Sequence, residues 1–134
     1  MPKEILIVDD EPNVVVPIQF LMEQQGYKVM IAERGEDALD LIYHYKPDLV
    51  ILDIMLPGID GYEVCEIVSL DPNYRDVKIM FLTAKGREVD IAKGLALGAD
   101  AYITKPYSNA ELVAKVKELL EKPYEEAGKK AERL

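Results

Sequence analysis

The amino-acid sequence predicts an α/β fold of the doubly wound type, in which helices cover both faces of one parallel sheet. Two unbroken apolar runs, residues 5–8 and 49–52, are typical of strands that are buried on both sides. Segments with helical spacing of apolar residues alternate with such runs along the chain. Because this alternation requires parallel strands joined by right-handed helical crossovers, the pattern predicts five strands and five helices in a single sheet.

The first strand and the first helix are predicted close to the start of the chain. Residues 5–8 are apolar throughout and lead into an acidic segment, residues 9–11. Pro12 can open a helix at its first position, where the missing N–H is not needed, and Gly26 is the expected stop. Pro17 removes an internal hydrogen bond and clashes with the preceding turn. We therefore expect either a kink at Pro17 or a helix whose regular part begins later.

The middle of the chain continues with a strand at residues 28–32 and a helix at residues 36–45. The strand at residues 49–53 is next, and the Pro57–Gly58 pair after it marks a loop. A third helix at residues 62–70 ends at a proline-containing turn. The residues expected to face the core from these two helices are Ala38, Leu39, Ile42, Tyr45, Val64, Ile67 and Val68.

The last third of the chain repeats the pattern with a strand at residues 77–82, a helix at 88–97 and a strand at 101–104. Ser108 with Glu111 three residues later is a capping-box signature, so a terminal helix should start there. Its expected core face contains Leu112, Val113, Val116, Leu119 and Leu120. The strand order that suits such a small sheet is 2-1-3-4-5, the flavodoxin-like arrangement.

The composition limits the class of protein. A length of 134 residues is enough for one domain with its own core, and 49% apolar with 31% charged residues is an ordinary globular balance. The net charge of −9 argues against nonspecific nucleic-acid binding. One cysteine and one histidine exclude an internal disulfide and a Cys/His metal cluster. Because no apolar run approaches the ~20 residues of a membrane helix, and the start has no signal-peptide shape, a cytoplasmic protein is expected.

The C-terminal residues differ in composition from the rest. Residues 123–134 are charged and nearly free of large apolar groups. We therefore assign residues 1–122 to the domain. We interpret residues 123–134 as a charged C-terminal tail or the start of a linker.

Polar side chains follow four of the predicted strands. In a parallel sheet the carboxyl ends of the strands share one edge, which should bring together Asp9, Asp10, Asp53, Thr83 and Lys105. Close carboxylates repel unless a cation lies among them, and Mg²⁺ prefers carboxylate, water and phosphate oxygens. A carboxylate can attack phosphorus and form an acyl phosphate. A lysine and a hydroxyl could then neutralise the remaining phosphoryl oxygens. The pattern predicts a phosphoryl-transfer site with Mg²⁺.

At these residues the sequence resembles the receiver domain of two-component response regulators, the CheY-like superfamily. The resemblance covers residues 3–122 and is carried by the motifs ILIVDDEP, PDLVILDIMLPGIDGYEV, IMFLTA, GADAYITKPY and SNAELVAKV. It implies a phosphorylation switch and not an enzyme acting on other substrates, with self-catalysed phosphoryl acceptance and autodephosphorylation only. A sensor histidine kinase would donate the phosphoryl group.

The resemblance also implies a role for each acidic residue of the site. Asp53 corresponds to the phosphoacceptor. Asp9 and Asp10 correspond to the acidic pair, with Asp10 a direct Mg²⁺ ligand and Asp9 acting mainly through water. Met55 would offer its backbone carbonyl to the metal, next to Asp53 as a third metal-binding residue.

The remaining implied roles concern the phosphoryl oxygens and the response to them. Lys105 corresponds to the lysine that contacts the phosphate, and the Lys105–Pro106 bond is cis in the family. Thr83 and Tyr102 correspond to the switch pair, in which the hydroxyl moves toward the phosphoryl group and the ring turns inward behind it. Met55 and Lys85 lie at positions that tune the lifetime of the phosphoryl group.

The implied partners are a sensor histidine kinase and a downstream protein or output domain that the sequence does not name. A phosphorylation-dependent homodimer through the fourth helix, fifth strand and fifth helix also fits the resemblance. Neither direct nucleic-acid binding nor membrane insertion is expected of this segment. Pro17 departs from the regular first helix of most members, and that helix often helps to dock the kinase.

Two other functions fit the fold less well. A Mg²⁺-dependent phosphatase with an aspartate nucleophile typically carries a second acid two residues later, where this sequence has Met55. A flavodoxin-like cofactor carrier needs a phosphate-cradling loop after the first strand. There, the acidic residues 9–11 would repel a flavin phosphate.

Overall fold

The computed structural model describes residues 2–121. The tail or linker predicted at residues 123–134 lies outside this part. Five strands form one parallel sheet, and they are β1 (Glu4–Val8), β2 (Lys28–Ala32), β3 (Leu49–Leu52), β4 (Lys78–Thr83) and β5 (Ala101–Thr104). The strand order β2-β1-β3-β4-β5 confirms the predicted flavodoxin-like α/β fold.

Five α-helices connect and follow the strands. They are α1 (Pro12–Gln24), α2 (Gly35–Tyr45), α3 (Gly61–Leu70), α4 (Glu88–Ala96) and α5 (Asn109–Leu120), and a short 3-10 helix (Pro72–Tyr74) follows α3. The Ser108 hydroxyl accepts the N–H of Glu111 at 3.0 Å, which confirms the predicted cap of the last helix. None of the described helices is long and apolar enough to cross a membrane.

Each strand contributes side chains to two separate apolar cores because successive side chains point to opposite faces. In β3, Val50 and Leu52 join the core under α2 and α3, whereas Leu49 and Ile51 join the core under α1 and α5. All four are at most 2% exposed. This two-sided burial explains why the run contains no polar residue.

Two residues expected in the core are exposed instead. Tyr45 is 53% exposed because it is the last residue of α2, beyond the sheet, and its ring packs on His44. Ile67 is 38% exposed because the buried face of α3 passes through Val64, Cys65 and Val68. The predictions for Tyr45 and Ile67 were therefore wrong.

Pro17 does not delay the start of α1. The helix begins at Pro12 and includes Pro17 in its interior. Since proline has no N–H, the Asn13 carbonyl lacks its usual helical donor. Both Asn13 and Pro17 are exposed, so water can satisfy that carbonyl. Of the two expectations for this helix, a later regular start is wrong.

The strand register decides which residues meet at the carboxyl edge. Val8 pairs with Leu52, and Leu52 pairs with Phe81, so β1, β3 and β4 reach the edge side by side. Thr83, the last residue of β4, pairs with Thr104, the last residue of β5. Residues that directly follow these strand ends must therefore be neighbours.

Candidate functional site

Backbone hydrogen bonds continue past the strand ends and hold the functional residues in place. The N–H of Asp53 donates to the Val8 carbonyl at 3.0 Å, and the N–H of Asp9 donates to the Ala32 carbonyl at 3.1 Å. The N–H of Lys105 donates to the Thr83 carbonyl at 2.9 Å. The site is thus built on the rigid rim of the sheet.

The Lys105 ammonium lies between two buried carboxylates. Its Nζ is 3.4 Å from Asp9 Oδ2 and 3.6 Å from Asp53 Oδ2. Asp9 is 3% exposed and Asp53 is 8% exposed, so water screens their mutual repulsion poorly. The single positive charge of Lys105 therefore pairs with the negative charges of Asp9 and Asp53, which leaves a net negative charge among these three side chains.

The surroundings of Asp9 show this excess. Burial raises the pKa of the Asp9 carboxyl, and the nearby Asp53 carboxylate adds to the increase. The backbone N–H of Glu11, which donates to Asp9 Oδ1 at 2.9 Å, opposes it, as does Lys105. A further cation beside Asp9 would favour the ionised form.

The Asp53 carboxylate is buried, and each of its oxygens has a donor. One oxygen faces Lys105, and the other accepts the N–H of Met55 at 3.4 Å. The Met55 side chain is 65% exposed. The loop after β3 therefore supplies a donor to one oxygen of the buried Asp53 carboxylate, and Lys105 supplies a donor to the other.

Asp10 is exposed, whereas Asp9 is buried, and the chain bends at Asp10. Within residues 2–121, no three Asp, Glu, His or Cys side chains are grouped closely enough to hold a metal ion. The expected cluster of three carboxylates is therefore only partly assembled. Asp9 and Asp10 still line one hollow of about 190 Å³ beside α1, together with Glu33.

The donor chemistry around Asp53 suits a hard divalent cation. The buried pair offers carboxylate oxygens, which are ligands that Mg²⁺ prefers. The unbalanced negative charge of Asp9 and Asp53 gives such a cation a favourable environment. The residues present therefore fit Mg²⁺.

Thr83 and Tyr102 meet at the peptide units of Lys85. The fully buried Thr83 accepts the N–H of Lys85 on its hydroxyl at 3.4 Å, and the Tyr102 hydroxyl donates to the Lys85 carbonyl at 2.6 Å. The Tyr102 ring packs on Phe81 with centroids 5.6 Å apart. The two residues are thus linked through one residue of the loop between β4 and α4. The Lys105–Pro106 bond is cis, as expected.

Two contacts near the site were missed by the sequence reasoning. Glu36, in the first turn of α2, accepts the N–H of Ile59 at 2.9 Å and so braces the loop after β3. Tyr62, at the start of α3, donates its hydroxyl to the Asp90 carbonyl at 3.3 Å. The only sequence signal for Tyr62 is a hydroxyl-bearing ring at a core position of its helix.

The family described as the response regulator receiver domain matches residues 5–117. The chain belongs to this family. The match includes all of the residues that the structure brings together at the carboxyl edge. The predicted resemblance is therefore confirmed.

Solved structures agree with the family assignment. A candidate response regulator from Chloroflexus aurantiacus J-10-fl is 39% identical to this receiver domain, with 91% of this chain and 100% of that chain covered and a TM-score of 0.86. A CheY-like response regulator receiver domain protein from Methanospirillum hungatei JF-1 is 33% identical, with 94% and 99% covered and a TM-score of 0.85. The BeF3-activated N-terminal receiver domain of RstA from Klebsiella pneumoniae is 33% identical, with 88% and 98% covered and a TM-score of 0.82.

Proposed function

We propose that this receiver domain is a phosphorylation switch in which Asp53 accepts a phosphoryl group from the phosphohistidine of a sensor histidine kinase. The observation that carries the proposal is the Lys105 ammonium between Asp9 and Asp53 at the open edge of the sheet. A carboxylate that is held in place by a lysine and a backbone N–H at the strand ends is suited to nucleophilic attack.

The transfer needs little covalent work from the protein. A carboxylate oxygen of Asp53 forms a bond to phosphorus while the phosphorus–nitrogen bond to the kinase imidazole breaks, and the electron pair of that bond stays on the imidazole. The protein contributes alignment and positive charge. The Lys105 ammonium, 3.6 Å from Asp53 Oδ2, is close enough to bind an oxygen of a phosphoryl group on Asp53.

Mg²⁺ would be held by Asp9, Asp10, Asp53 and the backbone carbonyl of Met55, and it would neutralise phosphoryl oxygens when bound. Asp9 supports this assignment because burial raises the pKa of its carboxyl, and a cation beside it would favour the ionised form. Asp10 supports it because it lines the same hollow as Asp9 and is free to turn toward a cation.

The signal would leave the site through Thr83 and Tyr102. A phosphoryl group on Asp53 is a new charge at the same edge of the sheet as the buried Thr83 hydroxyl, and movement of that hydroxyl changes its bond to Lys85. Tyr102 also contacts Lys85, because its hydroxyl donates to the Lys85 carbonyl. The affected surface comprises α4, β5 and α5, where α4 exposes Val89 and Leu95. A downstream protein, an output domain or a second copy would bind there.

The alternative of a Mg²⁺-dependent phosphatase has less support. The position two residues after Asp53 is Met55, whose exposed thioether cannot act as a general acid. We therefore propose that the domain catalyses only its own phosphorylation and dephosphorylation. Turnover of an external phosphoester such as p-nitrophenyl phosphate would favour the phosphatase.

Acetyl phosphate labelling tests the proposal directly. Intact-protein mass spectrometry after incubation with acetyl phosphate and Mg²⁺ should show one added phosphoryl group, and Asp53→Asn should show none. Asp40→Asn is a matched control, because Asp40 is an exposed carboxylate on α2, and it should be labelled like the wild type. Labelling that persists in Asp53→Asn would contradict the assignment.

A further inference from the structure

Two tyrosines from different elements hold the same loop. Tyr102 on β5 donates to the Lys85 carbonyl at 2.6 Å, and Tyr62 on α3 donates to the Asp90 carbonyl at 3.3 Å. Residues 85–90 connect the end of β4 to the first turn of α4. We infer that Tyr62 is a positioning residue of the switch, because its hydroxyl restrains the α4 end of the segment that Tyr102 holds at its β4 end.

The two rings belong to one aromatic cluster. Phe81 packs against both rings, with centroids 5.7 Å from Tyr62 and 5.6 Å from Tyr102, and a hydrogen bond between the two tyrosine hydroxyls contributes to the pKa shifts of both. Gly94 brings α4 directly onto this cluster, since a Cβ at that position would be 3.0 Å from both Phe81 and Tyr102. A movement of the Tyr102 ring therefore cannot leave α4 and Tyr62 unaffected.

Tyr62 also contacts α4 through Lys93. The Lys93 ammonium lies 4.3 Å from the centroid of the Tyr62 ring, within the range of a cation–π interaction. The Tyr62 side chain is thus bonded to α4 at Asp90 and covered by α4 at Lys93. At 8% exposure it has little freedom to take another position.

The surroundings of the Tyr62 and Tyr102 phenols favour the protonated form, which can donate a hydrogen bond. Burial raises the pKa of Tyr62, and burial together with the neighbouring Tyr62 phenol raises the pKa of Tyr102. The hydroxyls therefore remain protonated at neutral pH. Loss of the Tyr62 hydroxyl should loosen the first turn of α4 without removing the ring from the cluster.

The consequence for signalling rests on the proposed function, in which an inward Tyr102 accompanies phosphorylation of Asp53. The Tyr62 hydroxyl stabilises the arrangement of residues 85–90 that accepts Tyr102 in its half-buried position. A variant without this hydroxyl populates that arrangement less. Its apparent affinity for a phosphoryl analogue falls by the same factor.

Tyr62→Phe is the test, because it removes the hydroxyl and keeps the ring. We expect hydrogen exchange of the Asp90 and Ile91 amides, which bond to the Arg87 carbonyl at 3.0 and 3.1 Å, to accelerate about two- to tenfold, the value of one hydrogen bond. The dissociation constant for beryllofluoride with Mg²⁺ should rise by about the same factor. Tyr45→Phe is the control, since Tyr45 is exposed at the opposite end of the sheet.

Exchange at Asp90 and Ile91 no faster than in Tyr45→Phe would overturn the inference. So would an equal acceleration in β1, which would show a general loss of stability and not a local one. Failure of the wild type to bind beryllofluoride would overturn the proposed function, and with it the signalling role of Tyr62. The exchange measurement would still show separately whether Tyr62 restrains α4.

Discussion

Asp9 and Asp10 are adjacent in sequence and differ completely in environment. Asp9 is buried against Lys105 and the N–H of Glu11, whereas Asp10 is exposed. The chain bends at Asp10, and both residues line the hollow beside α1. Two chemically identical residues therefore differ in burial and in partners, and the proposed function needs both of them beside Mg²⁺.

Lys105 is the residue with the largest expected effect on the charge balance of the site. Lys105→Met leaves the Asp9 and Asp53 carboxylates buried without their shared cation. We expect the free energy of unfolding at neutral pH to fall by about 1–3 kcal/mol, because uncompensated buried charge is costly. Labelling of Asp53 by acetyl phosphate should slow as well. Urea unfolding and the labelling assay measure the two effects.

The control for Lys105 is Lys115→Met on α5. Lys115 makes a surface pair with Glu118 at 3.0 Å, with both side chains well exposed. Such pairs contribute roughly 0–1 kcal/mol. A similar loss of stability in the two variants would mean that the Lys105 interactions are no stronger than a surface ion pair.

At the scale of elements, the start of α4 depends on one buried carboxylate. Asp90 accepts the backbone N–H of Arg87 at 3.3 Å, and it accepts Nε and Nη2 of the same residue at 3.0 and 3.1 Å. The pKa of Asp90 is lower than usual, mainly because the Arg87 side chain donates hydrogen bonds to the carboxylate. This end of the helix is therefore sensitive to acid.

We expect Asp90→Asn to be less stable than the wild type at pH 7 and to approach it at low pH. A carboxyl whose pKa is lower in the folded state than in the unfolded state stabilises the fold at pH values above its unfolded pKa of 3.8. That contribution disappears as the pH falls through the folded value. Urea unfolding at pH 7 and pH 3 measures the difference. A deficit of equal size at both pH values would contradict the assigned role of the carboxylate.

At the scale of the whole molecule, the sheet is a central layer between two apolar cores. Leu52 is fully buried between Val8 and Phe81 of the neighbouring strands. Leu70, at the end of α3, is 77% exposed. Leucine thus occurs both fully buried in the sheet and well exposed on a helix.

Leu52→Ala should lower the free energy of unfolding by about 2–5 kcal/mol, because it removes buried methyl groups and leaves a cavity. Leu70→Ala should change it by no more than about 0.5 kcal/mol. Chemical denaturation of both variants makes the comparison. Equal effects would show that the centre of the sheet relaxes around the lost side chain.

The strands, the cap of α5 and most of the site were predictable from the sequence because they depend on local patterns. The apolar run before Asp53 indicates two-sided burial wherever it occurs, and Ser108 caps a helix through an N–H only three residues away. The parallel topology then requires Asp9, Asp53, Thr83 and Lys105 to share an edge. Tyr45 and Ile67 were misplaced because helical periodicity does not show where a helix passes beyond the sheet.

Only the tertiary structure decided which side chains touch. The Tyr62 hydroxyl reaches a carbonyl 28 residues away, and Glu36 reaches an N–H 23 residues away. Such contacts depend on how helices pack against the sheet, and no local sequence pattern records that packing. The sequence by itself determined the fold and the chemistry of the carboxyl edge. The packing of α3 and α4 on Phe81 decided how a change at that edge can reach the surface.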